Sequence, residues 1–322
     1  MRTIVVFQVG ILWCLFGVHT AHGLTVSPAK VEIQVDPGQS VYGEIELFNE
    51  QVETKTFFIS YENFESRGDT GAPYFTGGRT GLATWITTDA DISIASGERV
   101  IVPYSITVPA SAKPGGYFAA IFFGSQPPQG DGGGEVTIGG KVGVLLLLRV
   151  SGEVAEAAGL TDFGTPEQTR FFSVLPITFE YGFNNVGGDR VVPRGEIQIR
   201  NTFRLNSATL LANDREGSVL PDSTRRFEVV WNEGEQDVSS GGFFARAKQQ
   251  LVDFHFGWYT ADLNVTWGAS DQTARADFSF VIIPWQLLSI VGGVVGGLWF
   301  VMSVWLKRYK RRIIAEMMQH NE

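Results

Sequence analysis

From residue 24 to residue 150 the chain alternates apolar and polar side chains in short runs. Val31, Ile33 and Val35 alternate with Lys30, Glu32, Gln34 and Asp36, the period of two that a half-buried strand requires. Pro37-Gly38 breaks the run and predicts a turn. Val41, Ile45 and Leu47 then alternate with Tyr42, Glu44 and Glu46, and Phe57, Ile59 and Tyr61 share one face of a third strand. After the Ser96-Gly97 turn, Val100, Val102, Tyr104, Ile106 and Val108 repeat the pattern. Tyr117 to Phe123 and Val142 to Val150 are almost continuously apolar, as strands covered on both faces are. The Leu145 to Leu148 run is too short to cross a membrane.

Alanine, glutamate and glycine dominate from Ser151 to Gly159, and the texture there marks a domain boundary. A second set of alternating runs follows. Ile177, Phe179, Tyr181 and Phe183 form one face; Phe227, Val229 and Trp231 form another; Tyr259, Ala261, Leu263, Val265 and Trp267 form a third. A last strand, near Ala274 to Val281, runs into Pro284 with almost no linker. No window before residue 282 shows a convincing helical period. Short strands separated by turns predict two β-sandwiches, residues 24–155 and 156–281. The second is expected close to the bilayer and the first beyond it.

Both ends carry a different pattern. Residues 1–23 read as a secretory signal peptide: Arg2 is basic, Ile4 to Val18 is nearly all apolar, and Ala21-His22-Gly23 predicts cleavage before Leu24. The alternative, an uncleaved anchor helix, asks for a longer apolar run. Residues 282–306 carry no charge and as a helix would span roughly 38 Å, enough to cross a bilayer with tilt. Trp285, Trp299 and Trp305 lie toward its ends, as in an aromatic belt. Lys307, Arg308, Lys310, Arg311 and Arg312 follow at once. By the positive-inside rule this places the tail, residues 307–322, in the cytoplasm and the sandwiches outside. The expected topology is single-pass type I in the plasma membrane.

Charge and composition sharpen the picture. The chain has a net charge of −9, and residues 24–281 hold 19 basic and 32 acidic residues, a net charge of −13. A nucleic-acid partner asks for the opposite sign. The one cysteine, Cys14, lies in the signal segment, so the sandwiches have no disulfides. A disulfide-free surface protein with a short basic tail points to a bacterial cell envelope.

Few residues are available for catalysis. Of four histidines only His255 lies between residues 24 and 319. A zinc site built on several His or Cys ligands and a cysteine nucleophile are therefore excluded within one chain. A Ser-His-Asp triad would have to use His255, which sits among aromatics in Asp253-Phe254-His255-Phe256-Gly257. No Gly-X-Ser-X-Gly, P-loop or dinucleotide fingerprint occurs. Asp89 and Asp91 fall short of the six to eight oxygen ligands that calcium takes. No enzyme activity, metal or cofactor is expected.

The features that suit binding are these. Gly124 to Gly140 is a long Gly- and Pro-containing loop, functional or disordered. Tyr74 and Phe75 lie among glycines and could stack on sugar rings or pack in the core. In the apolar helix, Gly292 with Gly296 and Gly293 with Gly297 have the small-xxx-small spacing that lets two helices approach, which admits a homodimer.

An ordered series of motifs adds to this reading. Leu24-Thr25-Val26-Ser27-Pro28 is followed by Asp36-Pro37-Gly38, a strand ending in Asn49, Trp85-Ile86, Ser96-Gly97-Glu98, Val108-Pro109 and Pro114-Gly115-Gly116-Tyr117. The series resembles the Ig-like N-terminal domain of the WxL-interacting protein family of bacterial surface proteins. The resemblance covers residues 24 to about 150, and the order of parts matches along the chain. It implies an all-β protein: two Ig-like β-sandwich domains followed by a single transmembrane α-helix. It further implies a first domain that binds peptidoglycan and a second that binds host or partner surfaces. The expected function is thus non-catalytic binding of cell-wall peptidoglycan or of another surface protein, with the lipid bilayer as a second partner. The alternative is an assembly chaperone or complex subunit that acts by β-strand addition.

Overall fold

The computed structural model describes residues 23–78, 80–127, 140–231 and 242–319. The expected signal segment and most of the Gly124 to Gly140 loop lie outside them. The chain divides into two compact units: residues up to Arg67 with Pro73–Ala155, and Gly68–Ala72 with Glu156 onward.

The first unit is two sheets around one core. In one sheet, β1 (Leu24–Ser27), β3 (Ser40–Asn49), β8 (Arg99–Thr107) and β6 (Ile86–Thr87) lie side by side in that order. The other holds β2 (Lys30–Val35), β10 (Lys141–Val150), β9 (Gly115–Gly124), β4 (Lys55–Ser66) and β5 (Pro73–Gly77) in order, with β7 (Asp91–Ile94) also paired to β4. Ile45, Leu47, Val102 and Ile106 meet Ile59, Ile121, Val144 and Leu146 between the sheets, all buried. Each such side chain contributes about 1.5–3 kcal/mol of burial. The two predicted turns form at Gly38 and Gly97, whose φ of +81° and +70° favour glycine.

Strands β9 and β10 are covered on both faces. Leu146 and Leu148 face the core, while Phe122 and Leu147 on the opposite face are also buried. Their cover there is aromatic: the Phe75 ring stands edge-on to Phe122 at 4.8 Å and to Phe64 at 6.0 Å, with Phe118 5.9 Å from Phe64. This second small core explains the continuous apolar runs.

The second unit repeats the architecture. One sheet has the order β11 (Ala158–Gly164), β13 (Ile177–Asn185), β16 (Ser223–Trp231). The other has β12 (Phe171–Phe172), β18 (Gln272–Ile282), β17 (Gly257–Trp267), β14 (Arg194–Asn201) and β15 (Asn206–Leu211). Phe179, Tyr181 and Phe183 pack against Ile197, Leu263 and Phe280.

Among the described residues two α-helices follow the strands of the second unit or interrupt them, and both correct the expectation from sequence. Helix α1 (Phe243–Val252) lies before the apolar segment, where no helical period was evident. Its buried face consists of Ala247 and Gln250, one small and one polar, so no apolar core stripe marks it. Helix α2 (Trp285–Gln319) starts later than residue 282. Ile282 still pairs with Gly257 and Phe172 as the last residue of β18, and Pro284 separates strand from helix. At its other end α2 continues through the basic cluster, so the predicted tail is helical as far as Gln319. The segment Trp285–Arg311 is long and apolar enough to cross a membrane, and its most apolar stretch is not buried against the rest of the chain.

Candidate functional site

The sequence up to Val35 builds an unusual edge in the first unit. β1 pairs antiparallel with β3. The chain then passes through Pro28 and Ala29 to the other sheet, where β2 pairs parallel with β10. β2 is six residues long and β10 is ten. β9 covers β10 from Lys141 to Val150, whereas β2 covers only Leu145 to Val150. Among the described residues, Lys141–Val144 is therefore paired on one side alone.

Which backbone groups point outward follows from strand alternation. Leu145 N–H donates to Ala29 O at 3.0 Å, and Ser151 N–H to Val35 O at 2.9 Å. Odd-numbered residues thus turn their backbone groups to the β2 side. Lys141 and Gly143 present an N–H and a C=O each along the unpaired half-edge. Such groups form a template for another strand.

Beside this half-edge is a hollow of about 280 Å³. Leu24, Phe57, Phe123 and Val142 supply its apolar lining, and Gln51, Lys55, Ser125 and Lys141 its polar groups. Phe57 and Phe123 are buried, whereas Val142 is 40% exposed. Side chains of an added strand alternate between the two faces of the sheet, so every second one would be directed toward this hollow.

The half-edge is held in place from the outer face. Lys141 Nζ lies 4.1 Å from the Phe122 ring centre and 2.5 Å from Glu62 Oε1. A Cβ on Gly143 would stand 2.6 Å from the Phe122 ring, so only glycine lets that ring lie flat against the strand.

The residues singled out from sequence are distributed elsewhere. Tyr74 is 42% exposed, and the Arg67 guanidinium lies 4.4 Å from its ring centre. Phe75 packs on Phe64 and Phe122 and presents no free face comparable to that of Tyr74. Both sit on β5, at the opposite edge of the sheet from β2. Gly292, Gly293, Gly296 and Gly297 lie on α2, with nothing within 4 Å of where a Cβ would stand. Lys307, Arg308, Lys310 and Arg311 are exposed on the same helix; the Arg312 side chain lies outside the described residues. His255 stands edge-on to Trp231 at 5.1 Å, with Nδ1 3.3 Å from an Asp253 carboxylate oxygen. Among the described residues no group of three His, Cys, Asp or Glu side chains is placed to hold a metal ion. Asp262 and Asp277 are directly opposite on β17 and β18, with Arg200 3.4 Å from Asp262 on the same face.

The apolar run from Val142 to Val150 marks β10 but not its half-free edge. A signal existed in the Ser27-Pro28 break, which shortens the strand available to cover a ten-residue neighbour. Reading it required knowing that β2 pairs with β10 at all, a contact across more than a hundred residues.

No family model matches the chain, and no curated protein matches it. Solved structures similar to it include the class 5 fimbriae chaperone CfaA, at 10% identity and a TM-score of 0.38, covering 81% of this chain and 100% of that one. Another is a complex of the Salmonella enterica SafA pilin with the SafB chaperone, at 9% identity and a TM-score of 0.36, covering 82% and 99%. A third is the CsuC-CsuE chaperone–tip adhesion subunit complex of Acinetobacter baumannii, at 11% identity and a TM-score of 0.34, covering 79% and 97%. At these identities and TM-scores the likeness carries no functional assignment.

Proposed function

We propose that this chain is a non-catalytic, membrane-anchored bacterial cell-surface protein that holds an extended segment of another surface protein by β-strand addition. In this reading two Ig-like sandwiches stand on a single type I membrane helix, and the partner strand continues the sheet along Lys141–Val144. The observation that carries it is the mismatch between β2 and β10, which leaves two outward-facing N–H and C=O pairs beside an apolar hollow. Main-chain hydrogen bonds along the edge supply affinity, and the hollow supplies selectivity for the partner's alternate side chains. The anchor reading is supported by the length of α2 and by the five basic residues from Lys307 to Arg312.

Peptidoglycan binding, which the family resemblance implies, has the exposed rings of Tyr42 and Tyr74 in its favour in the first unit, and Arg67 already faces the Tyr74 ring. The two readings separate in one experiment. The full chain, solubilised from its own envelope, is tested for co-purification of a surface protein and for sedimentation with purified sacculi. Stoichiometric recovery of a protein partner without sacculus binding supports strand addition. Saturable sedimentation with protein-free sacculi and no partner would replace it with the wall reading.

A further inference from the structure

We infer that the end of the second unit from which α2 departs is an interfacial membrane-binding surface, on which α1 lies at the boundary of headgroups and acyl chains. The inference rests on reading α2 as a membrane span.

Strand register brings the parts together. β18 ends at Ile282 opposite Gly257, so the start of β17 and the start of α2 lie at the same end of the sheet. Phe171 pairs with Val281 there. Asn201 pairs with Tyr259, so the turn between β14 and β15 lies at that end too. Thr202 Oγ1 fixes this turn by accepting from Trp258 N–H and donating to Trp258 O, both at 3.1 Å.

Among the described residues, this end exposes large apolar side chains beside the basic Arg170 and Arg204. Phe203 is 80% exposed, Phe244 78%, Phe171 73%, Leu251 67%, Trp258 66% and Phe254 57%. They come from five separate elements and turns. Large side chains gathered this way on one end mark an interaction surface, and Trp, Phe and Leu are the side chains that an interfacial helix buries at the headgroup and acyl boundary.

Helix α1 is tied directly to the first turn of α2. The buried Gln250 side chain donates to Ser173 O at 3.0 Å and to Gln286 Oε1, and its own oxygen accepts from Leu287 N–H at 3.0 Å. The Phe243 and Trp285 rings meet edge-on at 5.7 Å. The outer face of α1 is therefore continuous with the surface of a helix that enters the bilayer. Its charged residues, Arg246 and Lys248, are both basic, in an ectodomain whose net charge is −13. Lys248 stands one turn from Phe244 and from Leu251, so the exposed face of α1 carries a basic side chain among aromatic and aliphatic ones, as suits an anionic lipid interface.

The test uses the full chain with Cys14→Ser, reconstituted in vesicles of phosphatidylcholine and phosphatidylglycerol. Single cysteines are introduced by Phe244→Cys, Phe254→Cys, Val294→Cys or Leu211→Cys and labelled with a fluorophore. Leu211 is exposed but lies at the far end of β15, roughly 17 Å along the strand. Quenching by a nitroxide-bearing lipid is compared with quenching by aqueous acrylamide. Labels at 244 and 254 should resemble the one at 294, quenched severalfold more by the lipid, with the one at 211 showing the reverse. If 244 and 254 follow 211 while 294 remains lipid-quenched, the interfacial surface is refuted and the anchor stands. Acrylamide access at 294 as well would refute both. Protection of 244 and 254 from both quenchers would assign the surface to a protein partner or a second copy instead.

Discussion

Asn49 closes β3, and Asn185 closes β13, with their side chains fully buried. Asn49 Nδ2 donates to Glu53 O at 2.9 Å and Ile94 O at 3.0 Å, while Oδ1 accepts from Gln51 N–H. Asn185 repeats the arrangement with Asp189 O at 2.8 Å, Val219 O at 2.9 Å and Gly187 N–H. Each asparagine satisfies loop backbone that the sandwich has removed from water. Asn185→Ala should therefore cost about 2–4 kcal/mol by leaving these groups unpaired, read as a lowered denaturant midpoint. Asp162 gives a pH-dependent case. Desolvation raises its pKa, but hydrogen bonds from Arg226 and Thr161 and the Arg226 charge outweigh it, and the net shift is downward. A lowered carboxylate pKa stabilises above the unfolded value, near 4, and that stability is lost as pH falls through the folded value. Asp162→Asn should thus be less stable than wild type at neutral pH, with the difference vanishing in acid.

At the scale of elements, the Gln250 clasp is the join between α1 and α2. Gln250→Ala leaves Leu287 N–H, Ser173 O and Gln286 without that partner. Faster amide exchange at Leu287 and a stability loss of about 1–3 kcal/mol are expected. The same clasp explains why α1 was illegible in sequence: what it buries is a glutamine and an alanine, and its large apolar residues are exposed. The strands are legible because their inward positions are Val, Ile, Leu and Tyr at period two, as in β2, β3 and β8. The continuous apolar runs in β9 and β10 imply strands covered on both faces, and the aromatic cluster around Phe75 and Phe122 is what covers the second face. The half-free edge of β10 was not legible, since it depends on where β2 stops in a pairing between residues 30–35 and 145–150. Tyr74 and Phe75 show the same limit, since alternation could not say that Phe75 is occupied by Phe122 and Tyr74 by Arg67.

The whole molecule combines an acidic pair of sandwiches with an apolar helix and a basic cluster. The acidic surface disfavours flat adsorption on anionic lipid, while α2 is long and apolar enough to span. In alkaline carbonate the full chain should remain with the membrane pellet, whereas a chain ended at Ile283 should be released to the supernatant. Retention of the shortened chain would show that α2 is not the anchor.

The most direct test of strand addition compares Lys141→Pro with Lys141→Ala. Both remove the Glu62 ion pair and the contact with Phe122. Only proline removes the outward N–H, and proline is tolerated at the start of an edge segment. Partner recovery from the envelope, measured with equal amounts of folded chain, should survive Lys141→Ala and be lost with Lys141→Pro. Equal recovery by the two variants would contradict binding along β10.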